Sequence, residues 1–88
     1  MNQQLKFNRS INQLIVSADN LGVWIVAGWT IGIPKEKAIS YVQSYDSSAA
    51  EGFFEHEGEV ILSHGPGKIY LSKPEANAIV DMIRNTYM

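Results

Sequence analysis

Residues 59–87 carry the strongest folding signals in this chain: two β-favouring runs, a tight turn between them, and an amphipathic segment that follows directly. The runs at 60–62 and 69–71 flank residues 64–67, where one proline presets φ and two glycines accept positive φ. This spacing predicts a β-hairpin that leads straight into a helix.

The start of that helix is marked by a capping box. Ser72 is followed three residues later by Glu75, and Pro74 lies in the first turn, where its missing N–H costs no hydrogen bond. The helix is therefore expected to begin near Lys73 and to pack one face on the sheet. Its apolar stripe, with i, i+3, i+4, i+7 spacing, consists of Ala76, Ile79, Val80, Ile83 and Tyr87.

The first half of the chain follows the same plan more loosely. Apolar runs at 14–16 and 23–26 flank residues 19–22, and Gly22 is available there for a left-handed turn conformation. Pro34 then opens a second predicted helix. Its apolar stripe consists of Ala38, Tyr41, Val42 and Tyr45.

Residues 21–33 form the most apolar run. The run is too short to span a membrane and is interrupted by three glycines, so it is interpreted as a buried strand. Residues 53–56 are expected to add one more strand before the second hairpin.

These features predict a single small α+β domain at residues 12–88. Its sheet is expected to be mostly antiparallel with about five strands, because connections of two to five residues join strands as hairpins. The predicted layout is ββα-βββα, two hairpin-plus-helix units with both amphipathic helices packed on the sheet. Residues 1–11 are expected to form a partly ordered N-terminal segment or an edge strand.

Cysteine is absent from the 88 residues, so neither disulfides nor a thiolate metal site can stabilise the fold. A chain of this size buries a limited fraction of its surface, and we therefore expect it to associate into a homo-oligomer. The lack of cysteine fits a reducing compartment, and the first residues lack the basic and apolar segments of a signal peptide. The expected location is the cytoplasm, without a membrane partner.

Charge argues against duplex nucleic acid as a partner. The net charge is −2, and the seven Lys and Arg residues are scattered along the chain. Binding to phosphates draws on clustered cations, which this sequence does not offer.

No pattern of catalytic or metal-binding residues emerges. Residues 55–59 contain three carboxylates and an imidazole, but alternate residues of a strand point to opposite faces and do not converge. Residues 65–68 lack the Ser or Thr and the following helix of a phosphate-binding loop. Ser63 and His64 are neighbours in a strand and also point apart. We therefore expect neither an enzyme nor a cofactor.

Aromatic residues are numerous for so small a core. Adjacent residues of a strand face opposite sides, so one of Phe53 and Phe54 must face away from the helices. Exposed aromatic clusters are typical of protein interfaces, and core packing is the other interpretation. The expected function is a non-enzymatic protein-binding module whose candidate partner-binding residues are Trp24, Phe53, Phe54, Glu51, Glu55, Glu57 and Glu59.

The four glutamates are included because of a more specific hypothesis. Their carboxylates would imitate the phosphates of nucleic acid and bind in the basic groove of a nucleic-acid enzyme. A small acidic inhibitor or accessory protein, of the sort that phages and mobile elements encode against host defence nucleases, fits the size of the chain. One alternative is a structural subunit of a larger assembly. Another is a homo-oligomer that binds a small molecule such as a nucleotide, with candidate ligand-binding residues Trp29, Tyr70, Gly65 and Gly67.

Overall fold

A computed structural model describes residues 3–8, 13–45 and 51–88 of the protein. In these ranges the order of elements is ββββα-βββα. The first group is β1 (Gln3–Phe7), β2 (Leu14–Ala18), β3 (Gly22–Val26), β4 (Thr30–Pro34) and α1 (Lys35–Gln43). The second group is β5 (Gly52–His56), β6 (Glu59–His64), β7 (Gly67–Leu71) and α2 (Lys73–Tyr87). The α+β class with antiparallel pairing and two helices is confirmed.

The prediction of one sheet with about five strands is wrong. Two antiparallel sheets are present, a first sheet in the order β1-β2-β3-β4 and a second in the order β5-β6-β7. The helices join them, because α1 contacts β3, β4 and β5 while α2 contacts β1, β2 and β6. The two sheets are thus connected through the helical layer, which a count of hairpins along the chain does not reveal.

The run at 21–33 is a hairpin, which corrects its interpretation as one buried strand. Gly28 adopts a φ of 83° at the turn, and the Ala27 N–H donates to the Trp29 carbonyl at 2.9 Å. Positive φ costs glycine little, so Gly28 allows the chain to reverse here. The residues on both sides of the turn are apolar on both faces, which concealed the turn in the sequence.

Gly22 also has a different role from the predicted one. Its φ lies outside the left-handed region, but a Cβ at this position would collide with the backbone carbonyl of Ile33. Glycine is therefore required by the close approach of β3 and β4. The β2–β3 turn is instead held by Asp19, whose carboxylate accepts the N–H groups of Leu21 at 2.8 Å and Gly22 at 3.1 Å.

Helix α2 has the predicted capping box. The Glu75 N–H donates to Ser72 Oγ at 3.2 Å, and the Ser72 N–H donates to Glu75 Oε1 at 2.9 Å. Helix α1 begins after Pro34 without a side-chain cap and ends before Tyr45. The ammonium group of Lys35 lies 5.6 Å from the ring centroid of Tyr87, a contact that links the two helices.

A single core contains residues of both sheets and both helices. In the strands of the first sheet, alternate residues such as Val23 and Ile25 face this core, while Trp24 and Val26 face away. β1 is the outermost strand at one edge of that sheet, and β4 is outermost at the other.

The domain boundary predicted between residues 11 and 12 lies outside the described residues. Neither helix in the described ranges has the length and apolar character needed to cross a membrane.

Candidate functional site

The side of the first sheet that faces away from the core, together with the turn before β3, is here called the outer face and exposes three large apolar side chains. Leu21 is 76% exposed, Trp24 43% and Val26 39%. Most large apolar side chains of a small domain are needed in its core, so three on one surface require an explanation.

Strand register arranges the outer face in two rows. Trp24 lies between Ser17 and Gly32, and Val26 lies between Ile15 and Thr30. The only charged side chain in these eight described positions is Lys6, at the β1 edge. The rows are Gln4, Ser17, Trp24 and Gly32, and Lys6, Ile15, Val26 and Thr30.

Trp24 has a defined place on this face. A Cβ built on Gly32 would lie 2.6 Å from Cζ3 of the Trp24 ring, so the indole lies directly over the glycine. A cavity of about 250 Å³ borders the ring. It is lined by Leu21, Gly22, Trp24, Gly32, Ile33 and Pro34.

Asp19 fixes the turn that carries Leu21. The N–H of Leu21, and then that of Gly22, lower the pKa of the Asp19 carboxyl, and a hydrogen bond with the Trp24 side chain lowers it further. The backbone carbonyl of Asp19 accepts the Tyr87 hydroxyl at 2.6 Å, which ties the turn to the end of α2. The turn that carries Leu21 is therefore fixed by contacts of Asp19 with Trp24 on the outer face and with Tyr87 at the end of α2.

A second group of polar side chains lies at the β6–β7 turn. Tyr41 Oη is 2.7 Å from Nδ1 of His64, and the Gly65 N–H donates to Glu51 Oε2 at 2.6 Å. Burial, followed by the adjacent charge and hydrogen bond of Glu51, raises the pKa of Tyr41 to about 12. The pKa of Glu51 is lowered, first by the Gly65 N–H and then by the charges of His64 and Lys37.

Tyr41 lies between the other two side chains of this cluster. Its hydroxyl shares a hydrogen bond with Nδ1 of His64, in which the donor depends on the tautomer of the imidazole, and it also interacts with the Glu51 carboxylate. The chain of hydrogen bonds holds His64 in one orientation beside the turn.

Trp29 and His64 border the same cavity, of about 190 Å³. The Trp29 ring lies against Gly67, because a Cβ there would be 3.0 Å from its Cζ3. The structure thus brings together Trp29 and Gly67 of the predicted ligand-binding residues. Gly65 lies in the adjoining turn but outside the cavity lining, which is Trp29, Thr30, Ile31, Gly32, His64, Pro66 and Gly67.

Tyr70, the fourth predicted ligand-binding residue, lies elsewhere. It is exposed on the second sheet, where it forms a cross-strand row with Ile61 and Phe54. Its neighbours Ile69 and Leu71 are buried, so Tyr70 faces away from the core.

Phe53 and Phe54 face opposite sides of the second sheet, because side chains alternate between the two faces along a strand. Phe53 is only 1% exposed and stacks on Tyr45 with a centroid distance of 5.6 Å. Because its ring is in the core, Phe53 cannot contribute to a partner-binding surface. Phe54 faces outward and is partly buried.

The four glutamates do not form one surface. Glu51 lies just before β5 and bonds the β6–β7 turn, whereas Glu55 lies near the other end of β5. Glu55 Oε1 is 3.7 Å from Nζ of Lys73, and Glu57 Oε2 is 3.9 Å from Nε2 of His56. Glu59 is exposed at the start of β6, directly after the β5–β6 turn at Glu57 and Gly58.

Several residues of these sites were not indicated by the sequence. Leu21 and Val26 were assigned to a buried strand, although Val26 has the same strand parity as Trp24. Tyr41 and His64 are 23 residues apart, and no local pattern connects them.

Comparisons with known proteins add no functional information to this geometry. Any function must therefore be inferred from the positions of residues in this chain. No protein-family model matches the chain, no curated protein matches it in sequence, and no solved structure matches its fold.

Proposed function

We propose that the protein is a non-enzymatic module that binds another protein through the outer face around Leu21, Trp24 and Val26. The observation that carries this proposal is the exposure of Trp24 and Val26 on the sheet and of Leu21 in the adjoining turn, where Leu21 and Trp24 line one cavity. Removing such a surface from water is favourable, and a partner protein supplies the matching apolar surface.

Trp24 is the residue expected to contribute most to binding. Tryptophan is enriched among the residues that dominate interfaces, where truncation costs about 2 kcal/mol or more. Its ring is already held over Gly32 and by Asp19, so little side-chain entropy is lost when a partner covers it. A loss of 2 kcal/mol corresponds to an affinity about 30-fold weaker.

An acidic inhibitor of a nucleic-acid enzyme, including the phage or mobile-element type, is a finer form of this proposal with less support. Phosphate imitation needs several free carboxylates on one surface. Glu51 is bonded to the β6–β7 turn, and Glu55 is close to Lys73. Glu57 and Glu59 are the carboxylates best placed for such a role.

The small-molecule alternative is supported only in part. Trp29 and Gly67 do border a common cavity, but Tyr70 is on the outward side of the second sheet. A ligand held by all four predicted residues would have to contact two separate surfaces.

Affinity capture with paired variants tests the proposed function. The tagged protein is used to capture partners from a lysate of the organism that encodes it, alongside a Leu21→Ser/Trp24→Ser variant and a Glu57→Gln/Glu59→Gln control. Circular dichroism first verifies that each variant is folded. We expect a stoichiometric partner with the wild type and the glutamine control, and its loss with the serine variant.

Two results would contradict the proposal. Capture that survives in the folded serine variant would exclude the outer face, and loss in the glutamine variant alone would favour the acidic surface. If the folded wild type captures no partner, the result would favour the small-molecule alternative instead.

A further inference from the structure

The β2–β3 turn, residues 19–22, is held by contacts from both helices. Tyr87, near the end of α2, donates its hydroxyl to the Asp19 carbonyl at 2.6 Å across 68 residues of sequence. Lys35, the first residue of α1, donates its backbone N–H to the Leu21 carbonyl at 3.0 Å. The Lys35 ammonium also lies 5.6 Å from the ring centroid of Tyr87. The turn, the start of α1 and the end of α2 therefore form one connected group.

Asp19 connects this group to the outer face. Its backbone N–H donates to the Gly22 carbonyl at 3.0 Å, and its carboxylate accepts the N–H groups of Leu21 and Gly22. The same carboxylate accepts a hydrogen bond from the Trp24 side chain, whose indole N–H is its only donor. One residue thus fixes both the backbone of Leu21 and the orientation of the Trp24 ring.

The Tyr87 hydroxyl acts on Asp19 through its peptide group. The Asp19 carbonyl belongs to the peptide plane between residues 19 and 20, and rotation of that plane moves the Leu21 N–H relative to the carboxylate. Burial, followed by the charge of Asp19, raises the pKa of Tyr87, so its hydroxyl stays protonated and able to donate at neutral pH. Removing the hydroxyl would free the plane to rotate and weaken the contacts of the carboxylate.

We propose that the Tyr87 hydroxyl controls partner binding by the outer face, as a positioning residue that acts through Asp19. The inference rests on the proposed function and identifies what regulates the same surface. Tyr87 packs against the core, whereas Trp24 faces away from it, so the control is indirect. A ring and a backbone turn that are already fixed lose less entropy when a partner covers them.

A pair of tyrosine variants isolates the hydroxyl. Tyr87→Phe removes it and keeps the aromatic ring beside Lys35. Tyr70→Phe removes a hydroxyl from an exposed tyrosine on the second sheet and is the matched control. Urea titrations verify that each variant is folded under the conditions of measurement.

Nuclear magnetic resonance of the free, ¹⁵N-labelled protein measures the positions of the turn and the ring. The indole N–H resonance of Trp24 is the one that remains in a Trp29→Phe variant. We expect Tyr87→Phe to shift this resonance and to speed amide exchange at Leu21 by about three- to tenfold, the range for weakening one hydrogen bond. The control should change neither signal.

A double-variant cycle tests whether the effect passes through Asp19. Asp19→Ala removes the carboxylate that Trp24 contacts but keeps the carbonyl that accepts the Tyr87 hydroxyl. If Tyr87 acts through Asp19, adding Tyr87→Phe to Asp19→Ala should not change the Trp24 resonance further. Additive shifts would overturn the inference, because they would mean that Tyr87 affects the ring by another route.

Binding is then compared with the partner that the wild type captures. We expect Tyr87→Phe to bind it about two- to tenfold more weakly, which is the net contribution of one hydrogen bond, and the control to bind it normally. An unchanged Trp24 resonance, or a changed one with undiminished binding, would overturn this inference and leave the proposed function intact. Capture that survives in the folded Leu21→Ser/Trp24→Ser variant would overturn both.

Discussion

At the scale of single residues, Tyr41 is the group whose chemistry the fold changes most. Its partly buried hydroxyl lies beside Glu51 and His64, and its pKa is raised to about 12 from an ordinary value of 10.0. A raised pKa means that the neutral phenol stabilises the fold below pH 10. That contribution is lost as the pH rises from 10 toward 12.

Tyr41→Phe should remove this pH dependence. In an absorbance titration at alkaline pH, the wild type should contain one phenol that ionises near pH 12 and the variant should lack it. The stability difference between wild type and variant, measured by urea unfolding, should shrink between pH 10 and pH 12. A variant whose titration matches that of the wild type would show that Tyr41 is not the perturbed group.

Gly32→Ala should displace Trp24 without unfolding the protein. The new Cβ would lie 2.6 Å from the Trp24 ring, which is exposed and can move away. In a Trp29→Phe background, the emission of Trp24 should shift to longer wavelength, and partner binding should weaken. Thr30→Ala, in the next row, should leave the emission unchanged. An unshifted spectrum in the Gly32 variant would contradict the observed ring position.

At the scale of elements, the two helices differ in how they begin. Helix α2 has a reciprocal capping box, whereas α1 has no side-chain cap at Pro34. Ser72→Ala removes the acceptor for the Glu75 N–H and should lower the free energy of unfolding by about 1 kcal/mol in urea titrations. Asn77→Ala, on the exposed side of the same helix, should have little effect. Equal losses in both variants would mean that the cap contributes nothing specific.

Sequence patterns predicted the elements whose signals are local. The turn at residues 64–67 and the Ser72–Glu75 box each lie within four residues, so they could be recognised without knowledge of packing. The turn at Gly28 was missed because β3 and β4 are apolar on both sides of it. The division into two sheets depends on where α1 packs, which no local pattern contains.

In the candidate sites, too, residues that come together only through tertiary packing could not be predicted from local patterns. Alternation correctly placed Phe53 and Phe54 on opposite faces, but it could not tell which one enters the core. The Tyr41–His64 hydrogen bond joins a helix to a strand end through tertiary packing. Trp24 was predicted as a partner-binding residue because aromatic residues are numerous and adjacent residues of a strand face opposite sides, whereas Leu21 was assigned to the buried run.

At the scale of the whole molecule, both sheets should unfold together, because the helices contact both of them. Ile79 in α2 is fully buried, and Ile79→Ala should cost about 2–5 kcal/mol. For a domain whose total stability is about 5–15 kcal/mol, that loss is large. Circular dichroism and tryptophan fluorescence should still report one shared urea transition. Two separate transitions would show that the sheets are independent.

Binding of a partner protein by the outer face can be tested by site-specific photo-crosslinking. A benzophenone side chain is introduced at position 26 on the outer face, and as a control at position 77 on the exposed side of α2. After irradiation in cells, we predict one crosslinked partner from position 26 and none from position 77. A partner crosslinked from position 77 but not from position 26 would exclude the outer face as the binding surface.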